Sequence, residues 1–206
     1  MKFFVLPGMG ADSSMYGPEY KKIENIIFVD WPDYKKERSI KQVAERVVEL
    51  YQIKDGDIAG GSSLGGIVAA EISKFVKLKK LFLIGSSLSS EDLNPKIKWL
   101  SRYAGTPPVK SIQAATGVVS IFMNKRNRNL IDMFRRTDNK FIKAMVKAMG
   151  EWDGCPDPEC DVYSIHGGKD RVIIADPNSV IIDDAGHTIV MTHGKQVVDF
   201  ILDKLG

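Results

Sequence analysis

Cysteine is scarce in this chain of 206 residues: there are two, Cys155 and Cys160, with four residues between them in a Pro-rich loop. Two cysteines cannot staple a domain of this length, and no second Cys or His pair is spaced to complete a zinc site, which excludes a disulfide scaffold and a structural zinc module. They read as reduced thiols, with a small-loop disulfide as the rival. Long apolar runs are missing too. The N-terminal run Phe3-Phe4-Val5-Leu6 stops after four residues at Pro7-Gly8, too short for a signal sequence. No stretch approaches the roughly 18 apolar residues that cross a bilayer. Neither sign of charge dominates: 29 Lys and Arg against 26 Asp and Glu leave +3, too little for a dedicated nucleic-acid binder unless clustered. The expectation is a cytoplasmic protein with no membrane span and no nucleic-acid partner.

What is present is an ordinary globular composition, 44% hydrophobic and 27% charged. A chain of this size should bury about 70% of its unfolded surface. Short β-rich runs recur at Phe3 to Leu6, Ile26 to Val29, Asp57 to Ala59, Leu81 to Ile84, Val162 to Ile165 and Val180 to Ile182. Between them lie segments of helical period: Ser39 to Tyr51, with Ser39 as N-cap, Leu64 to Phe75, and about Lys195 to Leu205. Strand and helix alternating in this way predict a mostly parallel sheet covered on both faces, with active residues at the carboxyl ends of the strands. From Leu88 to about Cys160 the rhythm breaks, and the segment reads as a helical insertion over the sheet. Between Lys110 and Lys147 it carries nine basic residues against two acidic, a net +7 that leaves the rest of the chain at −4. A solvated helix face explains this charge; an acidic substrate is the alternative.

The most informative stretch is Gly60-Gly61-Ser62-Ser63-Leu64-Gly65-Gly66, where a strand runs straight into a helix through Gly-x-Ser-x-Gly. A nucleophile at such a turn sits in a strained backbone conformation, so the positions two before and two after must be tiny. Gly61 and Gly65 meet that condition around Ser63, whereas Ser62 would have Leu64 at the crowded position. The glycines do not supply a dinucleotide-binding spacing, and no Gly-Lys-Ser/Thr follows. A serine hydroxyl also needs a base, and the base needs an acceptor on its far side. Of the three histidines, His166 at a strand end reads as a packed or hydrogen-bonded residue and His193 as a surface or capping one. His187, on a loop beyond a strand's carboxyl end, is the candidate base. Asp170, a few residues past the preceding strand, is the candidate carboxylate; Asp183 and Asp184 read as turn or solvent residues. Oxyanion donors are expected from the backbone N–H of Leu64 and of Met9, the latter in the glycine-bearing loop after the first strand.

Together, Pro7-Gly8-Met9-Gly10, Gly61 to Gly65, His166-Gly167-Gly168-Lys169-Asp170 and Gly186-His187 resemble the α/β-hydrolase fold superfamily. The resemblance runs from about Phe3 to Leu205. It implies an α/β-hydrolase sheet of about six strands, starting at what would be the third strand of the full fold, with Ser63, Asp170 and His187 converging above it. It implies a core of residues 1–87 and 161–206, with 88–160 as an inserted helical cap whose Thr137 to Trp152 looks like the last cap segment of small members. Only eight residues separate Asp170 from Ser179, so the helix usual there should shrink to about a turn, and Pro7 stands where the oxyanion loop usually begins with His.

The resulting expectation is a serine hydrolase of a small-molecule carboxylic ester or thioester, working through an acyl-enzyme on Ser63 and needing no cofactor or metal. Phe122, Met133, Phe134, Met145 and Trp152 could line its acyl pocket, although apolar residues at helical spacing are more often core. Two other classes stay open: a lyase on the same fold, and a non-catalytic small-molecule receptor.

Overall fold

The computed structural model describes residues 1–95, 98 and 128–206. Six strands, β1 (Phe3–Leu6), β2 (Ile26–Phe28), β3 (Ile58–Ser62), β4 (Lys80–Ile84), β5 (Asp161–Gly167) and β6 (Val180–Ile182), form one sheet in the order β2-β1-β3-β4-β5-β6. Every neighbouring pair is parallel. The central strands are buried on both faces, β1 at all four of its positions, which is why they read as continuous apolar runs.

Strand β3 continues three residues beyond the expected Ala59, through Gly60 and Gly61 to Ser62, which pairs with Ile84. Glycine is a weak strand former. Here the neighbouring strand requires it: a Cβ at Gly60 would fall 2.7 Å from the Cβ of Phe82.

Helices cover both faces. On one, α1 (Ile40–Tyr51) and α2 (Leu64–Ile72) pack with Phe4, Leu6, Ala59, Leu81 and Leu83. Helix α1 begins where Ser39 Oγ accepts the Gln42 N–H at 3.2 Å and ends at Gln52, whose φ is 53°. Helix α2 is buried at all nine positions. It stops short of the expected Phe75 because the chain tightens there: Lys74 and Phe75 donate three residues back, to Glu71 and Ile72, and Phe75 is exposed. On the other face, Phe3, Val5, Ile58, Phe82, Ile84 and Ile165 pack against two C-terminal helices, α5 (Ile189–Thr192) and α6 (Gly194–Leu205), and a single-turn segment, Pro18–Lys22. Ahead of this pair in the chain come α3 (Arg128–Arg136) and α4 (Asn139–Gly150).

Within 88–160, α3 and α4 take different places. Leu130 and Met133 of α3 join the cluster around Met15, Tyr16 and Ile189, above the carboxyl ends of the strands. Helix α4, started by Asp138 Oδ1 accepting the Lys140 N–H at 2.7 Å, lays Phe141, Met145, Ala148 and Met149 against the α1 and α2 layer. Between Asp170 and β6 the chain makes a turn, with the Ser179 N–H donating to Asp176 O at 2.9 Å. No helix among the described residues is long and apolar enough to cross a membrane.

Candidate active site

Parallel pairing brings the carboxyl ends of all the strands to one edge, so the segments after β1, β3, β5 and β6 gather there. Ser63 sits between β3 and α2 with φ 54° and ψ −119°, a backbone conformation that costs a non-glycine residue of order 1–3 kcal/mol and persists only when its surroundings impose it. Here the surroundings do. The Ser63 N–H donates to Ile84 O at 3.1 Å, and its carbonyl accepts the Ser86 hydroxyl at 2.8 Å and the Gly66 and Ile67 amides of α2. The flanking glycines are sterically required: a Cβ at Gly61 would lie 2.6 Å from Leu6 O, and one at Gly65 2.3 Å from the same oxygen.

The turn aims Ser63 Oγ at His187, whose Nε2 lies 2.9 Å away. On the far side of the ring, Nδ1 lies 2.7 Å from Asp170 Oδ2. Asp170 Oδ1 accepts the amides of Val172 at 2.7 Å and Ile173 at 3.2 Å. Both side chains are nearly sealed from solvent, 6% exposed for His187 and 2% for Asp170. Burial alone pushes the Asp170 carboxyl upward. Hydrogen bonds from His166 and His187, the charge of His187 and the Val172 amide outweigh it and hold the group well below the usual carboxylate range. It is therefore an anion throughout the neutral range, placed to orient an imidazole.

Ser63 and His187 border a cavity of about 40 Å³ whose apolar walls come from Ala11, Met15, Leu130 and Phe134. Gly8 and Met9 also border it. Their loop is fixed from three directions: the Gly8 carbonyl accepts Trp31 Nε1–H at 3.2 Å and the Ala11 amide at 3.2 Å, while the Gly8 N–H points at Met15 Sδ, 3.2 Å away. Met9 borders the same cavity as Ser63, and Leu64 is the first residue of α2, whose N–H a helix leaves without an internal partner.

No protein-family model and no curated protein matches the sequence. Solved structures do. The chain is similar to a hydrolase from Pseudomonas aeruginosa PA01 at 17% identity, with a TM-score of 0.79 over 100% of this chain and 90% of that one. A thermophilic esterase from Thermogutta terrifontis superposes with a TM-score of 0.75 at 18% identity, covering 100% of this chain and 89% of its own. The enol-lactonase from Burkholderia xenovorans LB400 gives 0.75 at 16% identity, over 99% and 91%. This chain has the α/β-hydrolase fold. At these identities the likeness establishes the fold alone, so the chemistry of this chain is argued from its own site.

The residues singled out in the sequence are distributed unevenly. Ser63, Asp170 and His187 meet, with Met9 beside them. Asp183 and Asp184 are exposed. His193 heads α6 and its Nε2 lies 3.4 Å from Asp184. Of the proposed acyl-pocket residues, Phe134 lines the cavity. Met133 is buried one residue away, 3.4 Å from Ser14 Oγ, and lines an adjoining groove. Met145 and Trp152 are directed into the core instead, because the apolar stripe of α4 faces α1 and α2; Trp152 Nε1–H donates to the buried Glu71 carboxylate at 2.7 Å. Phe122 lies outside the described residues.

Cys155 and Cys160 stand as free thiols. Several charges of the basic segment are neutralised locally, Arg136 by Asp12 and the exposed Arg135 by Asp132. No group of three or more His, Cys, Asp or Glu is placed to hold a metal among the described residues. Three contributors escaped the sequence reading: Trp31, Ser86, and His166 as a partner of Asp170.

Proposed function

We propose that this α/β-hydrolase is a serine hydrolase of small carboxylic esters or thioesters. The observation that carries the proposal is the unbroken line from Ser63 Oγ through both ring nitrogens of His187 to Asp170, at 2.9 and 2.7 Å, opening on an apolar cavity. In the reaction Ser63 Oγ attacks the substrate carbonyl while His187 Nε2 takes its proton, and Asp170 holds the ring in the tautomer that keeps Nε2 free to do so. The Met9 and Leu64 amides receive the negative charge that develops on the carbonyl oxygen. His187 then returns the proton to the departing alcohol or thiol, leaving the acyl group on Ser63. Water, deprotonated by His187, releases it as a carboxylic acid.

That an esterase and an enol-lactonase share the architecture supports a hydrolytic reading over the lyase and receptor alternatives. Turnover of p-nitrophenyl esters, combined with fluorophosphonate labelling followed by peptide mass spectrometry, tests it. The expected result is saturable turnover, a label on the Ser63 peptide, and a loss of at least about three orders of magnitude in kcat for Ser63→Ala. A Ser63→Ala protein that keeps more than a tenth of the normal rate removes Ser63 from the mechanism.

A further inference from the structure

Asp170 is touched by two imidazoles. His166, near the end of β5, is 0% exposed, and its Nε2 lies 3.1 Å from Asp170 Oδ2, the oxygen that also faces His187 Nδ1. The same Nε2 lies 3.0 Å from the Ile173 carbonyl. A carboxylate and a carbonyl offer only lone pairs, so a proton must reside on His166 Nε2 to satisfy them. Its Nδ1 is buried with no hydrogen-bond partner among the described residues, and with Nε2 protonated that atom is a bare lone pair. A buried polar atom left unpaired lowers stability, which an apolar side chain at this position would avoid. What the imidazole contributes in return is a donor aimed at Asp170.

We propose that His166 is a positioning residue for the proposed reaction: its Nε2–H pins Asp170 Oδ2, so that the carboxylate, and through it His187, stays aligned with Ser63. The inference rests on the serine-hydrolase reading. Two backbone amides hold Oδ1, but at Oδ2 the mobile base His187 needs a companion donor that does not move with the reaction, so that the whole carboxylate keeps its plane when His187 shifts. His166 is that anchor, immobilised in β5 and unable to follow His187 during proton transfer. It also shares the acceptor capacity of Oδ2, so it tempers the pull of Asp170 on the proton that His187 acquires from Ser63.

Among the described residues, the following groups face this pair. Asp170 meets His166, His187 and the amides of Val172 and Ile173; its chain neighbours Lys169 and Arg171 are exposed. His187 meets Ser63 and Asp170, and Asp183 and Asp184 on its own loop are exposed.

The test compares His166→Phe, which fills the space without a donor, His166→Gln, whose amide nitrogen can reach the Nε2 position, and Ser63→Ala, all on a p-nitrophenyl ester across pH 5 to 9. For His166→Phe the expected result is a fall in kcat of about 10- to 100-fold with KM changed less than about threefold, and an acid limb of kcat/KM displaced to higher pH by at least about half a unit. His166→Gln should restore kcat to within about fivefold of the parent and return the limb. Long-range proton–nitrogen correlation spectra of the unaltered protein should show His166 protonated at Nε2 and bare at Nδ1, a readout independent of whether either variant folds. A proton on Nδ1 overturns the proposal, as does a folded His166→Phe enzyme with the parent's kcat and pH profile. If Ser63→Ala is inactive in that second case, only the role of His166 falls. If Ser63→Ala is active, the hydrolase reading falls and this inference with it.

Discussion

The ring of Phe134 occupies the space that a side chain on Gly10 would need: a Cβ there would come 2.2 Å from Cδ2 and 2.6 Å from Cε2. Gly10 also has φ +72°, so its replacement strains the backbone as well as the contact. The contact joins α3 to the loop that carries Met9, which makes the placement of the proposed oxyanion donor depend on a side chain, Phe134, that lies 124 residues beyond Gly10 in sequence. Gly10→Ala should lower stability by about 1–3 kcal/mol and reduce esterase kcat/KM. Adding Phe134→Ala relieves the collision but not the φ strain. Urea unfolding and kinetics on both proteins should therefore show part of the catalytic loss, and a smaller part of the stability loss, recovered. No recovery at all would mean that the loop and α3 act independently.

Acid should weaken the protein through Asp170. Its carboxyl is held below the ordinary value of 3.8 by its donors, against the opposing effect of burial. An unfolded chain therefore binds that proton more readily than the folded one. The sign follows: the stabilisation is complete above about pH 4 and is lost as pH falls from there toward the folded-state value. Asp170→Asn, which has no such proton to bind, should be less stable than the parent at pH 7, with the gap narrowing between pH 4 and pH 2. Urea midpoints across that range check it. A gap of constant size would show that Asp170 is not the linked group.

Much of this architecture was legible because its signals are local or steric. Alternating β-rich and helical segments predict a parallel sheet, and Gly61 and Gly65 mark Ser63 because the crowding they relieve depends only on covalent geometry. His187 and Asp170 were found by their positions after strands, since parallel topology sends those positions to one edge. The remainder depends on long-range packing. A histidine at a strand end reads as packed or hydrogen-bonded whatever its partner, so the sequence does not reveal that His166 meets Asp170. Met145 and Trp152 have the same helical spacing as residues lining a pocket, and period reveals that a stripe is covered but not by what. Trp31 and Ser86 act on backbone atoms 23 residues away in each case, a relationship no local pattern encodes. The glycines that end a strand by propensity instead continue β3, because Phe82 lies across them.

The two cysteines should be sluggish toward alkylation. Burial, aided by Cys155 and Asp161 nearby, pushes the Cys160 thiol up to about 11, so that at pH 7.5 less than about a thousandth of it is thiolate, the reactive form. Cys155 is buried, with its sulfur 3.5 Å from Ser73 Oγ. Iodoacetamide at pH 7.5 should modify neither within an hour in native buffer and both within minutes in 8 M urea, as read by intact mass. Rapid labelling of Cys160 in the folded protein would contradict its placement beside β5.

Acyl chain length is the sharpest test of the cavity beside Ser63. Its volume of about 40 Å³ corresponds to roughly three water-sized positions at about 10–15 Å³ each, and among the described residues its apolar walls are Ala11, Met15, Leu130 and Phe134. Were the pocket open-ended, each added methylene would be rewarded by about 0.8 kcal/mol of burial, and kcat/KM would climb with chain length. Walls formed by Met15, Leu130 and Phe134 give the opposite profile, because surplus methylenes must either stay in water or displace these side chains from their packing. Across p-nitrophenyl acetate, butanoate, hexanoate and octanoate, kcat/KM should peak at two to four carbons and fall by at least about tenfold by eight, since overpacking costs about 1–3 kcal/mol. Phe134→Ala removes the wall nearest Gly10, and should move the optimum toward six carbons or longer while leaving Ser63, His187 and Asp170 untouched. A flat or rising profile in the parent protein would show that the acyl group leaves the site by a route that these side chains do not close.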